Sequence, residues 1–511
     1  MLNYRKLILF ITITSVVVVL GGGGFMVWMF NEAKHSNLGE LTFENPLAIP
    51  ELLEPTTDDQ GRKVFDLTFT AGEIEFIEGQ RTETWGLNGP YLSPTLRATR
   101  GDEVLINVDN DVEEDTSLHW HGMHLPAAMD GGPHQMIEPG DTWSPTWTIN
   151  QPAATLWFHP HPHGVTAEHV YRGAAGMFIL DDPDLEDLEL PDTYGVDDIP
   201  LIIQDKKFNN DGSLNFDKSI FGNVGILGDE ILVNGTHGPS FEATSSLVRF
   251  RVLNASNARL YNLGFNDNRS YTLIGTDTGL LEEPIYLNRL LLSPGERAEI
   301  VVEIEPEDDL ILRSFEPNIN GLNFWEQRFN GGNDTFDILT IRGNEQLVDS
   351  EPLPSKLVDI DWPEETNAVH TRKFELSGTG WINNEPMDMN RIDFAATKDT
   401  TEIWEISHEG GGVYHNFHTH LIHFAILDID GKDPPEHLRG WKDTVFIPPT
   451  SSVRIIARFE DYVDPEFPYM YHCHILMHED RGMMGQFVVV EPGTEPPSRV
   501  PEIDDHQHHN H

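Results

Sequence analysis

Between residues 60 and 490 the apolar positions fall in short runs, not in long continuous faces. EVLINV (103–108), TWSPTWTI (142–149), AGMFIL (175–180), LVRFRVL (247–253), RAEIVVEI (297–304), TEIWEI (401–406), SVRIIARF (452–459) and GQFVVV (485–490) are rich in Val, Ile, Thr and aromatic residues. Gly, Pro, Asn and Asp interrupt them roughly every 8–12 residues, the spacing of strands joined by turns. The pattern predicts an all-β protein made of repeated sandwiches or barrels. A sustained 3.6-residue period is missing beyond the N-terminus, so no long amphipathic helix is expected.

The N-terminus reads differently. Arg5 and Lys6 precede residues 7–30, which carry no charged side chain. As a helix rising 1.5 Å per residue, such a run is long enough to cross a hydrocarbon core of about 30 Å. A cleaved secretory signal would begin the same way, but no small-x-small cleavage site follows, so an uncleaved signal-anchor is the preferred expectation. Basic residues on its N-terminal side place the remainder outside the cytoplasm. Residues 31–53 read as a polar linker. The acidic, proline-containing stretches at 181–198 and 344–357 read as joints, which divides the body into sandwiches at 54–183, 190–345 and 355–491. The tail, 492–511, is acidic, Pro-rich and His-rich and is expected to be disordered.

Charge narrows the function. Lys and Arg number 33 and Asp and Glu 84, a formal charge of −51. Long-range repulsion of this size excludes a nucleic-acid binder and fits a protein kept soluble by its own field, or one that gathers cations. Cys473 is the single cysteine, so no internal disulfide can form.

Histidine placement is the strongest chemical signal. Four His-x-His pairs stand out: His119/His121, His159/His161, His418/His420 and His472/His474. Residues i and i+2 on a strand share a face, so each pair presents two imidazoles to one side. Two pairs lie in the first block and two in the third, which suggests one cluster between those blocks. Imidazole suits copper, zinc, iron and nickel alike, so the pairs do not name the metal. Parity adds a second site: Cys473 points opposite to His472 and His474, and His415 opposite to His418 and His420. With His478 and Met483 these make two imidazoles, a thiolate and a thioether, the donor set of a blue-copper electron-transfer centre. Zinc would be expected to recruit more cysteines or a carboxylate, with no reason for methionine.

These segments resemble the three-domain multicopper oxidases, the family of laccases, bacterial copper-efflux oxidases, bilirubin oxidases and spore-coat relatives. GDEILVNGT (228–236), RFRVLNASNARLYNL (249–263) and GWKDTVFIPP (440–449) are also similar to family sequence, and the likeness runs from about residue 60 to 491. It implies three cupredoxin-like Greek-key β-sandwich domains and four copper ions. His415, Cys473 and His478, with Met483 axial, would hold the mononuclear type 1 copper; His119 and His418 the type 2 copper; His121, His159, His161, His420, His472 and His474 the paired type 3 coppers. Electrons from a reductant would pass through Cys473 to His472 and His474, and dioxygen would be reduced to water. Asp130 and Glu479 match acids linked to proton delivery. His163, His423 and His134 are candidates to orient ligands, and Met484 has no assigned role.

Two departures from the family stand out. Asn416 occupies the usual proline position after His415, and the Met-rich insertion of copper-efflux members is missing, with only Met387 and Met389 ahead of the ligand region. The Met- and His-containing segment 121–136 and the His-rich tail are weak hints of metal capture. Asn234 and Asn254 lie in glycosylation sequons, relevant only in a glycosylating host. The expected activity is oxidation of phenols or aromatic amines by dioxygen, with oxidation of Cu(I), Mn(II) or Fe(II) as the alternative, by a monomer anchored to a membrane. A non-catalytic scaffold, as in cell-division relatives that have lost ligands, and a copper nitrite reductase, which lacks the type 3 pair, fit less well because every ligand position is filled.

Overall fold

The computed structural model describes residues 24–218, 221–495 and 497–500. Among them the chain is mostly strand, in six sheets, and helices are short. Where one face of a strand meets solvent, the alternation seen in the sequence is the alternation of burial. In Glu103–Asn110, Val104, Ile106, Val108 and Asn110 point inward and the intervening residues outward. Where both faces are covered it disappears: every residue of Met484–Val490 is buried, because Val488 and Val490 pack with Ile392 on one side while Phe487 and Val489 face the main core on the other.

The sheets pack in pairs, each pair closing on its own apolar core. Phe65, Leu67, Val104 and Ile106 of one sheet meet Leu96, Phe158, Phe178 and Leu180 of another. Ile199, Leu201, Val252 and Ile300 meet Phe241, Leu263, Leu312 and Phe336. Phe374, Trp404 and Ile455 meet Phe417, Tyr471 and Phe487.

A few elements position the histidines. Strand β1 (His119–His121) pairs antiparallel with β2 (Ala154–His159), so that His119 lies opposite His159. Helix α1 (Thr166–Arg172) follows the second histidine pair. Helix α2 (Phe324–Phe329) lies in the middle stretch. In the C-terminal stretch β3 (His415–Thr419) runs between β4 (Thr444–Ile447) and β5 (Asp464–His472), with His418 opposite both Thr444 and His472. Helix α3 (Leu476–Asp480) leads into β6 (Met484–Val490). The first and last stretches are joined beside the histidines. Asp480 accepts hydrogen bonds from the backbone N–H groups of Thr166 and Ala167, capping α1, and Leu476 packs on Ala167 and Val170.

The ends of the chain are tied down further than composition suggests. Residues 24–32 are helical and dock on α2, and Asn37 exchanges hydrogen bonds with the backbone of Asp337. Asn45 and Pro46 pair with Pro239 and Ser240 of a middle sheet and Leu52 bridges to Thr95 in the first block, so the stretch expected as a linker, 31–53, is built onto the body. At the other end Arg499 bridges to Arg391 and Val500 packs on the Ile392 cluster, so part of the tail expected to be disordered from 492 lies against the body. The apolar Val500 side chain explains this. No helix among the described residues is long and apolar enough to cross a membrane. Residues 7–23 of the expected anchor, and the histidines of the tail, lie outside the described residues.

Candidate metal centre

Ten histidines and the one cysteine converge on two places. At the smaller, Nδ1 of His415 and Nδ1 of His478 are 3.1 Å apart, and Cys473 Sγ lies 3.5 and 3.7 Å from them. At the larger, His121, His159 and His474 form one group with donor atoms within 4.8 Å of one another, and His161, His420 and His472 a second. His119 and His418 lie between, each ring stacked on a member of the other histidine pairs: His119 on His420 at 3.8 Å and His418 on His121 at 3.7 Å.

Each His-x-His pair is split between groups. His472 belongs with His161 and His420, whereas His474 belongs with His121 and His159. Distance accounts for this. Residues i and i+2 of a strand are about 6.5 Å apart, while two nitrogens bound to one ion at about 2 Å each are separated by only about 3.3 Å. The ring centroids within the pairs are indeed 5.8, 5.8, 5.1 and 5.5 Å apart. A His-x-His pair therefore spans neighbouring sites and does not chelate one ion.

The nitrogens that face each other fit a metal. His161 Nε2 and His472 Nε2 are separated by 3.2 Å, His420 Nε2 and His472 Nε2 by 3.4 Å, and His159 Nε2 and His474 Nε2 by 3.4 Å. Those are the spans of cis ligands around an ion, and the longer sulfur distances match a metal–thiolate bond of about 2.3 Å. His119 Nε2, His121 Nδ1 and His418 Nε2 are buried without any hydrogen-bond partner among the described residues. An unsatisfied buried polar atom costs about 1–3 kcal/mol, and a metal ion relieves it. The opposite ring nitrogens are held: His119 Nδ1 by the backbone oxygen of Asp130, His418 Nδ1 by that of Asp443 and His159 Nδ1 by that of Pro160. These contacts set each tautomer and aim the free lone pair inward.

Burial favours the neutral form of several of these histidines. It pushes His121, His159, His418 and His420 well below the ordinary histidine range, and the adjoining imidazoles push them further. His474 is lowered to about 3, first by burial and then by His472. Neutral imidazoles are the metal-binding form. Burial likewise pushes the Cys473 thiol up to about 12, while backbone N–H groups of Ile475 and Asn416 favour its thiolate.

Carboxylates ring the larger cluster. Asp130 Oδ2 accepts from His420 Nδ1 at 2.6 Å, and Glu479 Oε2 lies 3.1 Å from His472 Nδ1 with Oε1 3.5 Å from His161 Nδ1. Asp130 therefore does more than cap a turn. The turn needs Gly131 (φ +77°), where a Cβ would fall 1.8 Å from the Leu118 carbonyl oxygen. A third carboxylate escapes sequence reasoning: Asp443 Oδ1 is 3.2 Å from His121 Nε2, and Arg297 holds both its oxygens at 2.7 and 2.6 Å. Burial alone raises the Asp443 carboxyl, but Arg297 outweighs it and holds the group below its usual range. Only its place in GWKDTVFIPP marked Asp443, and nothing marked Arg297.

The remaining candidates separate. Met483 packs in the core that holds Cys473, whereas Met484 lines a cavity beside Phe374 and Tyr471. His163 is exposed. His134 bonds Gln486 at 2.8 Å, and His423 bonds the backbone oxygen of Gly122, next to His121, at 3.1 Å.

Residues 68–185 and 359–493 match family profiles described as multicopper oxidase. The chain is 35% identical over 460 residues to a multicopper oxidase of Staphylococcus aureus, covering 89% of this chain and 95% of that protein. This chain belongs to the multicopper oxidase family. The family binds copper, and the histidine groups fit such sites. A cell division protein FtsP of Xenorhabdus nematophila is 36% identical over 468 residues, covering 89% of this chain and 96% of that one. A laccase from Pediococcus acidilactici superposes with a TM-score of 0.79 at 33% identity, over 87% of this chain and 94% of that structure.

Proposed function

We propose that the protein is a laccase-like oxidase that takes single electrons from phenols or aromatic amines and reduces dioxygen to water. The observation that carries it is the filled donor set. His415, Cys473 and His478 stand together, as do His121/His159/His474 and His161/His420/His472; the first group, with Met483, would hold a type 1 copper, the other two a type 3 pair, and His119 with His418 a type 2 copper. Four copper ions bound there supply one-electron redox chemistry and, at the larger cluster, the reduction of dioxygen.

The chain's own residues do the rest. Cys473 binds at the smaller site while its neighbours His472 and His474 reach one type 3 group each, so a single peptide segment links both sites. Asp130 Oδ2 accepts from His420 Nδ1 and Glu479 Oε2 lies 3.1 Å from His472 Nδ1, which puts both carboxyl groups beside the cluster, where protons for the product water are needed. Arg297 keeps Asp443 charged against His121. We further read the molecule as an extracytoplasmic monomer anchored by residues 7–23, the part of the expected 7–30 anchor that precedes the helix docked on α2, in three cupredoxin-like domains at 54–183, 190–345 and 355–491.

Oxygen uptake by the copper-loaded protein with a phenol, and separately with Cu(I), Mn(II) and Fe(II), tests the reading. Uptake with the phenol is expected; uptake with a metal ion alone moves the assignment to a metallo-oxidase, which the acidic surface would favour. Similarity to a cell division protein makes a non-catalytic role the second reading. A copper-loaded protein without blue absorption or oxygen uptake would establish that reading.

A further inference from the structure

Aromatic side chains crowd one patch of the surface beside the smaller metal site. Helix 24–32 leans on α2: Phe30 stacks on Phe324 at 4.7 Å and meets Trp325 edge-on at 5.1 Å, while the Arg328 guanidinium caps the Phe30 ring at 4.7 Å and donates to its carbonyl. Trp325 stacks on Phe329, and Phe329 meets Phe221. Despite these contacts the outer rings stay exposed: Phe25 55%, Trp28 57%, Phe324 65%, Trp325 43% and Phe221 49%. A contiguous apolar patch on a chain of formal charge −51 marks an interaction surface.

Its occupant follows from where the chain goes. Residues 7–23, immediately before this helix, contain no charged side chain, so the patch begins where a run fit for hydrocarbon ends. Trp next to such a run settles at a bilayer's interface, and Phe forms the apolar face that an interfacial helix sinks into it. A protein this acidic gains nothing electrostatic from anionic lipid, so the attraction is apolar.

The patch is also bolted to the metal site. Asn330, which ends α2, donates to the carbonyl of Gly412 at 2.8 Å, three residues before His415, and accepts from the N–H of Asn223 at 3.2 Å. The carbonyl of Asn223 accepts from His478 Nε2 at 2.8 Å.

We propose that α2 and helix 24–32 dock on the bilayer surface and turn the His415/His478 site toward it, so that the reductant is a lipid-dissolved hydroquinone. Each hydroquinone gives up two electrons, singly, and two protons to become a quinone. Two of them with one dioxygen yield two quinones and two waters. The substrate half rests on the oxidase reading above; the docking half does not.

The test uses the full chain in phosphatidylcholine vesicles. Lipid brominated on its acyl chains should quench tryptophan emission more in the natural protein than in Trp325→Phe, since Trp325 lies about 300 residues beyond the anchor. Equal quenching overturns docking, as does a detergent-stable dimer that buries Trp325. With copper loaded, Phe324→Ser/Trp325→Ser should raise KM for a long-chain hydroquinone about tenfold, the weight of two partly buried rings, and leave KM for a sulfonated hydroquinone unchanged. A rise in both makes the patch the wall of an ordinary substrate pocket and overturns the proposal. Oxygen uptake with neither defeats the oxidase reading while the quenching result stands.

Discussion

The two metal sites share Cys473 and its neighbours but are built in opposite ways. The smaller group, His415, Cys473 and His478, comes entirely from the last stretch, and its His478 ring is held by one backbone carbonyl from a segment close to the surface. The larger draws two histidine pairs from each of two stretches some 300 residues apart and is ringed by buried Asp130, Glu479 and Asp443. A site that exchanges only electrons needs a soft donor set and a short way out. On the proposed oxidase reading, the larger site would also have to take up protons and exclude solvent, which its burial among carboxylates fits.

Cys473→Ser strikes the one residue that serves both, and the largest effect is expected there. Blue absorption and turnover should vanish while the eight-histidine cluster keeps its copper. Turnover retained with phenols would mean that electrons enter elsewhere.

Asp130→Ala separates the sites. His420 loses its 2.6 Å partner, and losing such an outer contact typically costs about 10–100-fold in metal affinity or activity. Oxygen uptake and copper content should fall together with the blue band intact. A blue band that fades as much as activity would show that the two sites are not independently built.

Met483→Leu acts on the smaller site alone. Withdrawing a thioether should raise its reduction potential, with copper retained. Met484→Leu should leave the potential where it was, since that side chain lines the cavity beside Tyr471. A shift with Met484 and none with Met483 would reverse the axial assignment.

What was legible in the sequence differs between the two sites as well. The donors are legible because His-x-His and Cys-x-x-x-x-His are local patterns, and because i,i+2 parity puts Cys473 on the side opposite its neighbours. The contacts that aim the donors are not, since Asp443 reaches His121 across 322 residues and Asn223 reaches His478 across 255. Strands with one wet face, such as Glu103–Asn110, announce themselves by alternation; Met484–Val490, covered on both faces, shows only an apolar run. The docking of Phe30 on α2 was hidden inside a segment whose composition spoke only of lipid.

Asn416 is the one ligand-region departure from the family, and its effect should be the smallest. Its side chain donates to Ser293 Oγ at 3.2 Å and to the Pro294 carbonyl at 2.7 Å, tying β3 to the turn whose Gly295 (φ +85°) lies against the His474 ring. Its backbone N–H favours the Cys473 thiolate, a contact that proline cannot make. Hydrogen bonds to the cysteine sulfur draw charge from it and tune the potential. Asn416→Pro should therefore lower the reduction potential, opposite in sign to Met483→Leu, and cost about 1–3 kcal/mol for the lost buried hydrogen bonds. Asn416→Ala loses the same side-chain bonds and keeps the N–H, so it should share the stability loss without the fall in potential. Equal potentials for the two variants would assign the tuning to the side chain, and the backbone would then have no part in it.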